Sequence, residues 1–391
     1  MTTTPTRVSH RLSRTDCRLE DLQALLDVRT DPADVPHAGR VEQSVPVYDA
    51  ASIPSVRDEQ ARAAYEAEIA SVLADGAGIV VFTGAVDPAV IDPVSAAFER
   101  IIAAEKESGA VAGDHFAKPG ANDRMWNALE KLAVEAPEAF VDYYGFDALA
   151  VAATAWLGPG YQVTSQVNIV NPGGQGQTVH RDYHLGFQSP DVSERFPRHV
   201  HLFSGQLTLQ GAVAHVDMPL ESGPTLYLPH SQTYELGYLA YWLPEFQEYF
   251  QTHHVQLPLS KGDAVFFNPA LMHAAGTNIS SDVRRMANLL QVSSPFGRAM
   301  ESVDRRRVVE AIYPALLSRA ELGVDTDVLS RVVAAAAEGY AFPTNLDFDP
   351  PVDGMSPATQ VDHVRSALED RTPADEVSTL LGTLEDRRRT H

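Results

Sequence analysis

Apolar residues recur at helical spacing near both ends of the chain; between them they fall in short runs broken by turn residues. "RDEQARAAYEAEIASVLADG" (57–76) has the recurrence of an amphipathic helix and stops at Gly76. "GIVVFTGAV" (78–86) reads as a buried strand and "DPAVIDPVSAAFERIIAAEKESG" (87–109) carries a second helix. "DHFAKPGANDRMWNALEKL" (114–132) reads as a loop entering a helix. From residue 161 the texture changes. "YQVTSQVNIV", "TVHRDYHLGF", "SGQLTLQGAVAHV", "PTLYLP", "DAVFFNP" and "RMANLLQVSS" are β-rich runs separated by turns. So many short strands in one block predict a sandwich or jelly roll. Helical patterning returns after residue 300, and the prolines of "YAFPTNLDFDPPVDGMSP" (340–357) predict an ordered loop within it.

The resulting fold class is a mainly β core with flanking helices (α+β), read as one domain over 1–391. It comprises an N-terminal segment (1–50) expected to wrap the surface or fray, a helical flank (51–160), a β core (161–299) and a C-terminal helical extension (300–391). Composition changes this picture little: 44% of residues are hydrophobic, enough for a sizeable core. Charge narrows the partners. Lys and Arg number 30 against 52 Asp and Glu, a formal charge of −22, so nucleic acid and anionic membranes are expected to be repelled. The single cysteine, Cys17, excludes an intramolecular disulfide and a Cys-based zinc or iron–sulfur site. No apolar signal core opens the chain and no run of 18 apolar residues occurs, so a cytoplasmic protein is expected. Oligomeric state is not legible.

The candidate chemistry lies in "NPGGQGQTVHRDYHLGFQ" (171–188). Residues i and i+2 of a strand share a face, so His180 and Asp182 are expected to project together. An imidazole and a carboxylate on one face give two ligands of a 2-His-1-carboxylate site for Fe(II). His273, after the apolar run "DAVFFNP", is the candidate third ligand, and Arg284 follows across the next turn. An arginine there has a chemical logic. Fe(II) needs two further electrons to cleave O2, and a bound 2-oxoacid supplies them by decarboxylation. The far carboxylate of 2-oxoglutarate would take the planar, bidentate guanidinium.

These residues resemble the phytanoyl-CoA dioxygenase family of Fe(II)/2-oxoglutarate oxygenases. "HRD", the distal histidine and the arginine beyond it carry the likeness, as do "ESGPTLYLPHSQ" (221–232) and "GIVVFTGAVDPAVI". The resemblance covers roughly residues 75–295. It implies a double-stranded β-helix of the jelly-roll or cupin kind, iron held by His180, Asp182 and His273, 2-oxoglutarate held by Arg284, and O2 as cosubstrate. Many relatives carry a small hydroxylated residue two places after the distal histidine; this chain has Ala275, so another group must complete the carboxylate site.

A second His-x-Asp triplet, His215-Val216-Asp217, competes with the first. The family-like "SGP…LPHS" follows Asp217 at once, which favours His180/Asp182 and leaves His215 to the core or the pocket wall. Gln166 and Asn168 alternate on one face of the strand expected beside the metal strand, and are candidate 2-oxoglutarate or substrate contacts. Lys118, Arg124 and Trp126, before the β core, are candidate substrate-pocket residues. His184 is expected on the face of His180 and Asp182, as a pocket histidine. The predicted activity is oxidation, principally hydroxylation, of an unactivated C–H bond in a small molecule, since Asp182 occupies the position a halide would need. The alternative is a non-oxidative metal-binding barrel, either a hydrolase or isomerase or a silent binding module. Metal-dependent decarboxylation of 2-oxoglutarate separates the two.

Overall fold

The computed structural model describes residues 10–109, 122–352 and 354–389. Eleven strands are found among them. They are β1 (Arg40–Glu42), β2 (Val45–Asp49), β3 (Ile79–Thr83), β4 (Asn122–Met125), β5 (Gln162–Val170), β6 (Thr208–Ala214), β7 (Leu226–Tyr227), β8 (Val255–Gln256), β9 (Ala264–Phe267), β10 (His273–Ala274) and β11 (Arg285–Ser293). Eight form one sheet in the order β1-β2-β3-β9-β6-β11-β5-β4, and three form a second sheet, β10-β7-β8. The pairings are antiparallel except β2 with β3. The sheets face each other: the Phe267 ring of β9 lies 5.2 Å from Tyr227 of β7 and 4.8 Å from His273 of β10. This is the expected double-stranded β-helix. "Mainly β" holds for the core alone, because helices occupy more of the chain than strands do.

The helices cover the outer face of the large sheet. Glu59–Ala74 starts at Asp58, whose carboxylate accepts the Ala61 N–H, and Pro88–Glu107 starts at Asp87 with proline in its first turn. The C-terminal helices Arg305–Glu321, Thr326–Ala336, Gln360–Glu369 and Ala374–Arg388 complete this layer. Along β11 the two faces separate cleanly. Met286, Leu290 and Val292 are buried toward the helices, whereas Arg285, Ala287, Leu289 and Gln291 line the space between the sheets.

Three expectations need correction. Residues 1–50 do more than wrap the surface: β2 pairs with β3, and Val45, Val47 and Tyr48 are core residues, because "VPVY" is a short apolar run that the large sheet can extend over. The segment before the helix at 128 is a strand, β4, hydrogen-bonded to β5 and not a loop. "TVHRDYHLGF" is not a continuous strand. His180 makes one bridge, to His273, and the chain then turns through Tyr183 (φ 64°) and His184 (φ 48°) into a short 3-10 helix, His184–Phe187.

Candidate active site

A cavity of about 810 Å3 lies between the sheets. Its polar corner is built by backbone-to-backbone packing of two segments. The Gly173 N–H donates to Asn278 O, Gln177 N–H to Ala275 O, and His180 and His273 exchange N–H···O bonds of 2.9 and 3.1 Å. The glycine-rich turn exists for this approach: a Cβ on Gly176 would stand 2.4 Å from the Ala275 carbonyl oxygen. Two residues on, the Asp182 N–H donates to Pro269 O. His180, Asp182 and His273 thereby meet, with one ligand atom from each lying within 4.8 Å of the others.

Both imidazoles are oriented the same way. His180 Nδ1 lies 2.8 Å from Thr178 O, and His273 Nδ1 lies 2.8 Å from Leu271 O. A carbonyl only accepts, so each Nδ1 carries a proton and Nε2 is the atom turned to the site. Those Nε2 atoms face the Asp182 carboxylate at 3.7 Å and 3.5 Å. Burial would raise the Asp182 pKa, but the two imidazoles and the Gln210 amide outweigh it and hold the carboxyl well below the ordinary range. Burial also lowers the His180 pKa, favouring the neutral ring. Two imidazoles presenting Nε2 and one carboxylate, each with an outer hydrogen bond fixing it, match the donor set for Fe(II).

The outer partners escaped sequence reasoning. Gln210 of β6 donates to Asp182, and Gln291, its register partner on β11, accepts from the Tyr183 hydroxyl. An inward polar residue at the same register on adjacent strands was the available signal. Arg181, between the two ligands, is 2% exposed and points away from the cavity. It donates to Ser231 O and Tyr234 O, and its guanidinium lies 5.4 Å from the centre of the Tyr238 ring.

The arginine pair divides contrary to expectation. Arg284 is 45% exposed on its side chain and pairs with Glu99 at 2.6 Å and more distantly with Asp123. Arg285 is the first residue of β11 on the cavity face, and it is buried. Among the described residues its hydrogen bonds go to two carbonyls, Ser222 O and Gly276 O, and burial pushes its pKa down to about 10. A buried guanidinium beside no carboxylate is costly, and a dicarboxylate ligand removes that cost. Strand parity decided the matter: the strand begins one residue later than Arg284, so Arg284 is on the solvent side.

Gln166 and Asn168 line the cavity as expected, with Gln166 Nε2 and Asn168 Oδ1 buried and without a hydrogen-bond partner among the described residues. Arg124 and Trp126 also line it, the guanidinium 5.5 Å from the indole centre. Lys118 lies outside the described residues. His184 is not on the cavity wall, because the turn at Tyr183 carries it away to a contact with Thr208 Oγ1 at 3.4 Å. His215 is on the helix side of the large sheet, bonded to Ser95 Oγ and the Tyr143 hydroxyl, so the second triplet cannot join the first site. No residue of 340–352 lines the cavity; Tyr340 packs on Phe296 instead.

No curated protein sequence matches the chain. Solved structures that resemble it include the non-heme α-ketoglutarate-dependent epimerase SnoN from nogalamycin biosynthesis, at 19% identity over 60% of this chain and 84% of that one, with a TM-score of 0.38. The carbocyclase SnoK from the same biosynthesis is 18% identical over 58% and 83%, with a TM-score of 0.42. AviO1 from Streptomyces viridochromogenes Tue57 is 21% identical over 61% and 96%, with a TM-score of 0.42. Likenesses this distant leave the reaction to the site itself. Among the described residues no helix is long and apolar enough to cross a membrane. A sequence profile for phytanoyl-CoA dioxygenase (PhyH) matches residues 74–286, more than half of the chain and all of the polar corner just described. The chain therefore belongs to the phytanoyl-CoA dioxygenase family of Fe(II)- and 2-oxoglutarate-dependent oxygenases.

Proposed function

We propose that this protein oxidises an unactivated C–H bond of a small molecule, with hydroxylation as the principal outcome and succinate and CO2 as coproducts. His180, Asp182 and His273 would hold Fe(II) through two Nε2 atoms and a carboxylate. Bound iron with 2-oxoglutarate supplies the O2 activation that no side chain can provide. The chain's own residues do the rest. Thr178 O and Leu271 O keep both histidines in the ligating tautomer. Gln210 fixes the carboxylate, and Gln166 and Asn168 offer a donor and an acceptor to bound oxygen atoms.

Arg285 is assigned to the distal carboxylate of 2-oxoglutarate in place of Arg284. Ala275 offers no hydroxyl there. Thr225 and Tyr227, which line the same cavity, are assigned to complete that site. The reading rests above all on one observation: a ligand-ready His-Asp-His cluster opens into the same cavity as a buried guanidinium that has no carboxylate beside it among the described residues. The deciding experiment is anaerobic reconstitution with Fe(II) and 2-oxoglutarate, followed by O2 and assay of succinate. Metal-dependent succinate release supports the oxygenase. A protein that binds metal but never decarboxylates 2-oxoglutarate is a non-oxidative metal barrel.

A further inference from the structure

The polar groups of the cavity do not cover all of its wall. Besides aliphatic residues, the lining away from the His-Asp-His corner includes a set of aromatic side chains: Trp126 just after β4, Phe187 in the turn after Asp182, and the Tyr241–Trp242 pair, with Met300. Phe187 is 52% exposed and Trp242 44%. Large apolar surface left open to water around a cavity marks a place where a ligand is meant to cover it.

This wall is built to stay in place. Tyr241 and Trp242 stack with centroids 5.0 Å apart and planes 29° apart. The Tyr241 hydroxyl donates to Gly186 O, and the Tyr238 hydroxyl donates to Asp182 O, so the wall is tied to a metal-ligand candidate and to the chain four residues beyond it. Arg181 braces the 231–238 segment from behind, and Gly237 makes room for it: a Cβ there would lie 1.7 Å from the guanidinium carbon. Arg124 and Trp126 also line the cavity, with the guanidinium 5.5 Å from the Trp126 ring centre. An aromatic wall held rigid before binding favours a flat, rigid ligand, because neither partner loses much freedom.

Size and charge narrow the class further. Pockets of roughly 300–1,000 Å3 hold drug-sized ligands, so at about 810 Å3 the cavity has room for far more than 2-oxoglutarate and an amino acid. A CoA thioester needs several cations for its phosphates. Among the described residues the cavity wall carries two, Arg124 and Arg285, and the second is committed to 2-oxoglutarate.

Building on the iron and 2-oxoglutarate reading above, we propose that the substrate is a bulky, ring-bearing, largely apolar small molecule. Its ring is clamped between Trp126 and the Phe187–Trp242 wall, with an oxygen substituent toward Arg124. The test uses the full chain under anaerobic conditions with Mn(II) and 2-oxoglutarate. Naphthalene-2-carboxylate, L-proline and octanoyl-CoA are titrated by tryptophan fluorescence and calorimetry. Two of the three tryptophans line the cavity, whereas the Trp156 indole is bonded to Thr208 O elsewhere. Naphthalene-2-carboxylate is expected to bind at least tenfold more tightly than either competitor. Trp242→Ala and Phe187→Ala are expected to weaken it about tenfold each, Trp242→Phe to recover most of the loss, and Leu202→Ala, an exposed residue off the cavity, to change nothing. Tighter binding of proline or octanoyl-CoA would overturn the proposal, as would naphthalene affinities unmoved by both alanine variants, provided that 2-oxoglutarate binds. Absence of Mn(II)-dependent 2-oxoglutarate binding in the unaltered protein would instead overturn the site reading beneath it.

Discussion

Exchanging the roles of two adjacent arginines makes the sharpest test. In Arg285→Gln the cavity loses the cation assigned to the distal carboxylate of 2-oxoglutarate. A hydrogen bond to a charged group is worth about 1.5–3 kcal/mol, and a bidentate pair contributes two. The burial of the guanidinium, which pushes the Arg285 pKa down to about 10, is already borne by the ligand-free fold. A loss of at least about 3 kcal/mol is expected, which is roughly two powers of ten in affinity. Arg285→Lys keeps the charge but replaces the planar fork with a point donor, so about a tenfold loss is expected. Arg284→Gln removes a half-exposed pair with Glu99, worth about 0–1 kcal/mol of stability, and should leave 2-oxoglutarate binding within about twofold. The assay is the 2-oxoglutarate dependence of succinate release, with anaerobic Mn(II)-dependent binding in parallel. Metal affinity should be nearly unchanged in all three variants. Ligand-free stability should move little in Arg285→Gln, because the burial cost disappears together with the bonds to Ser222 O and Gly276 O. A large effect of Arg284→Gln beside normal Arg285 variants would refute the assignment and the strand parity behind it.

His180→Ala, Asp182→Ala and His273→Ala should each abolish metal-dependent 2-oxoglutarate binding while circular dichroism stays native; binding that survives any one of them would remove that residue from the site. Gly237→Ala should lower thermal stability by at least about 2 kcal/mol, as overpacking against a buried group does, and an unchanged Tm would show that Arg181 does not brace the 231–238 segment. Burial, with Lys261 adding to it, pushes the His215 pKa down to about 3. The unfolded chain therefore takes up a proton below about 6.5 that the folded chain refuses, so this contribution to stability is complete above about 6.5 and is lost as pH falls toward 3. Urea midpoints of the unaltered protein and His215→Gln across that window should converge at the acid end; a constant gap would refute the linkage.

Some of the site was legible because its information is local. "HRD" after a glycine-rich turn, a distal histidine after an apolar run, and "QVN" on a neighbouring strand name residues whose types already restrict the chemistry, and the structure brings His180, Asp182, His273, Gln166 and Asn168 to one cavity. The β core between helical flanks followed from periodicity in the same way. What failed was whatever depended on where a strand starts or stops. Period-two alternation assigns a side only once the register is known, and a shift of one residue reverses it. Arg284 and Arg285 are indistinguishable without the Arg285–Val170 pairing that opens β11. His184 shares the parity of His180 and Asp182, yet the backbone turns at Tyr183 before parity can apply. β2 and β4 were missed because short strands at or next to a sheet edge draw their stability from the sheet they join and not from their own pattern. The sequence by itself determined the candidate His-Asp-His donor set and a core of short strands between helical flanks, and its resemblance to a family implied the β-helix. Only the tertiary structure decided which arginine faces the cavity, that Gln210 bonds Asp182 and Gln291 bonds Tyr183, and that aromatic side chains from well-separated stretches of chain line one cavity, because each of these depends on contacts between segments far apart in the chain.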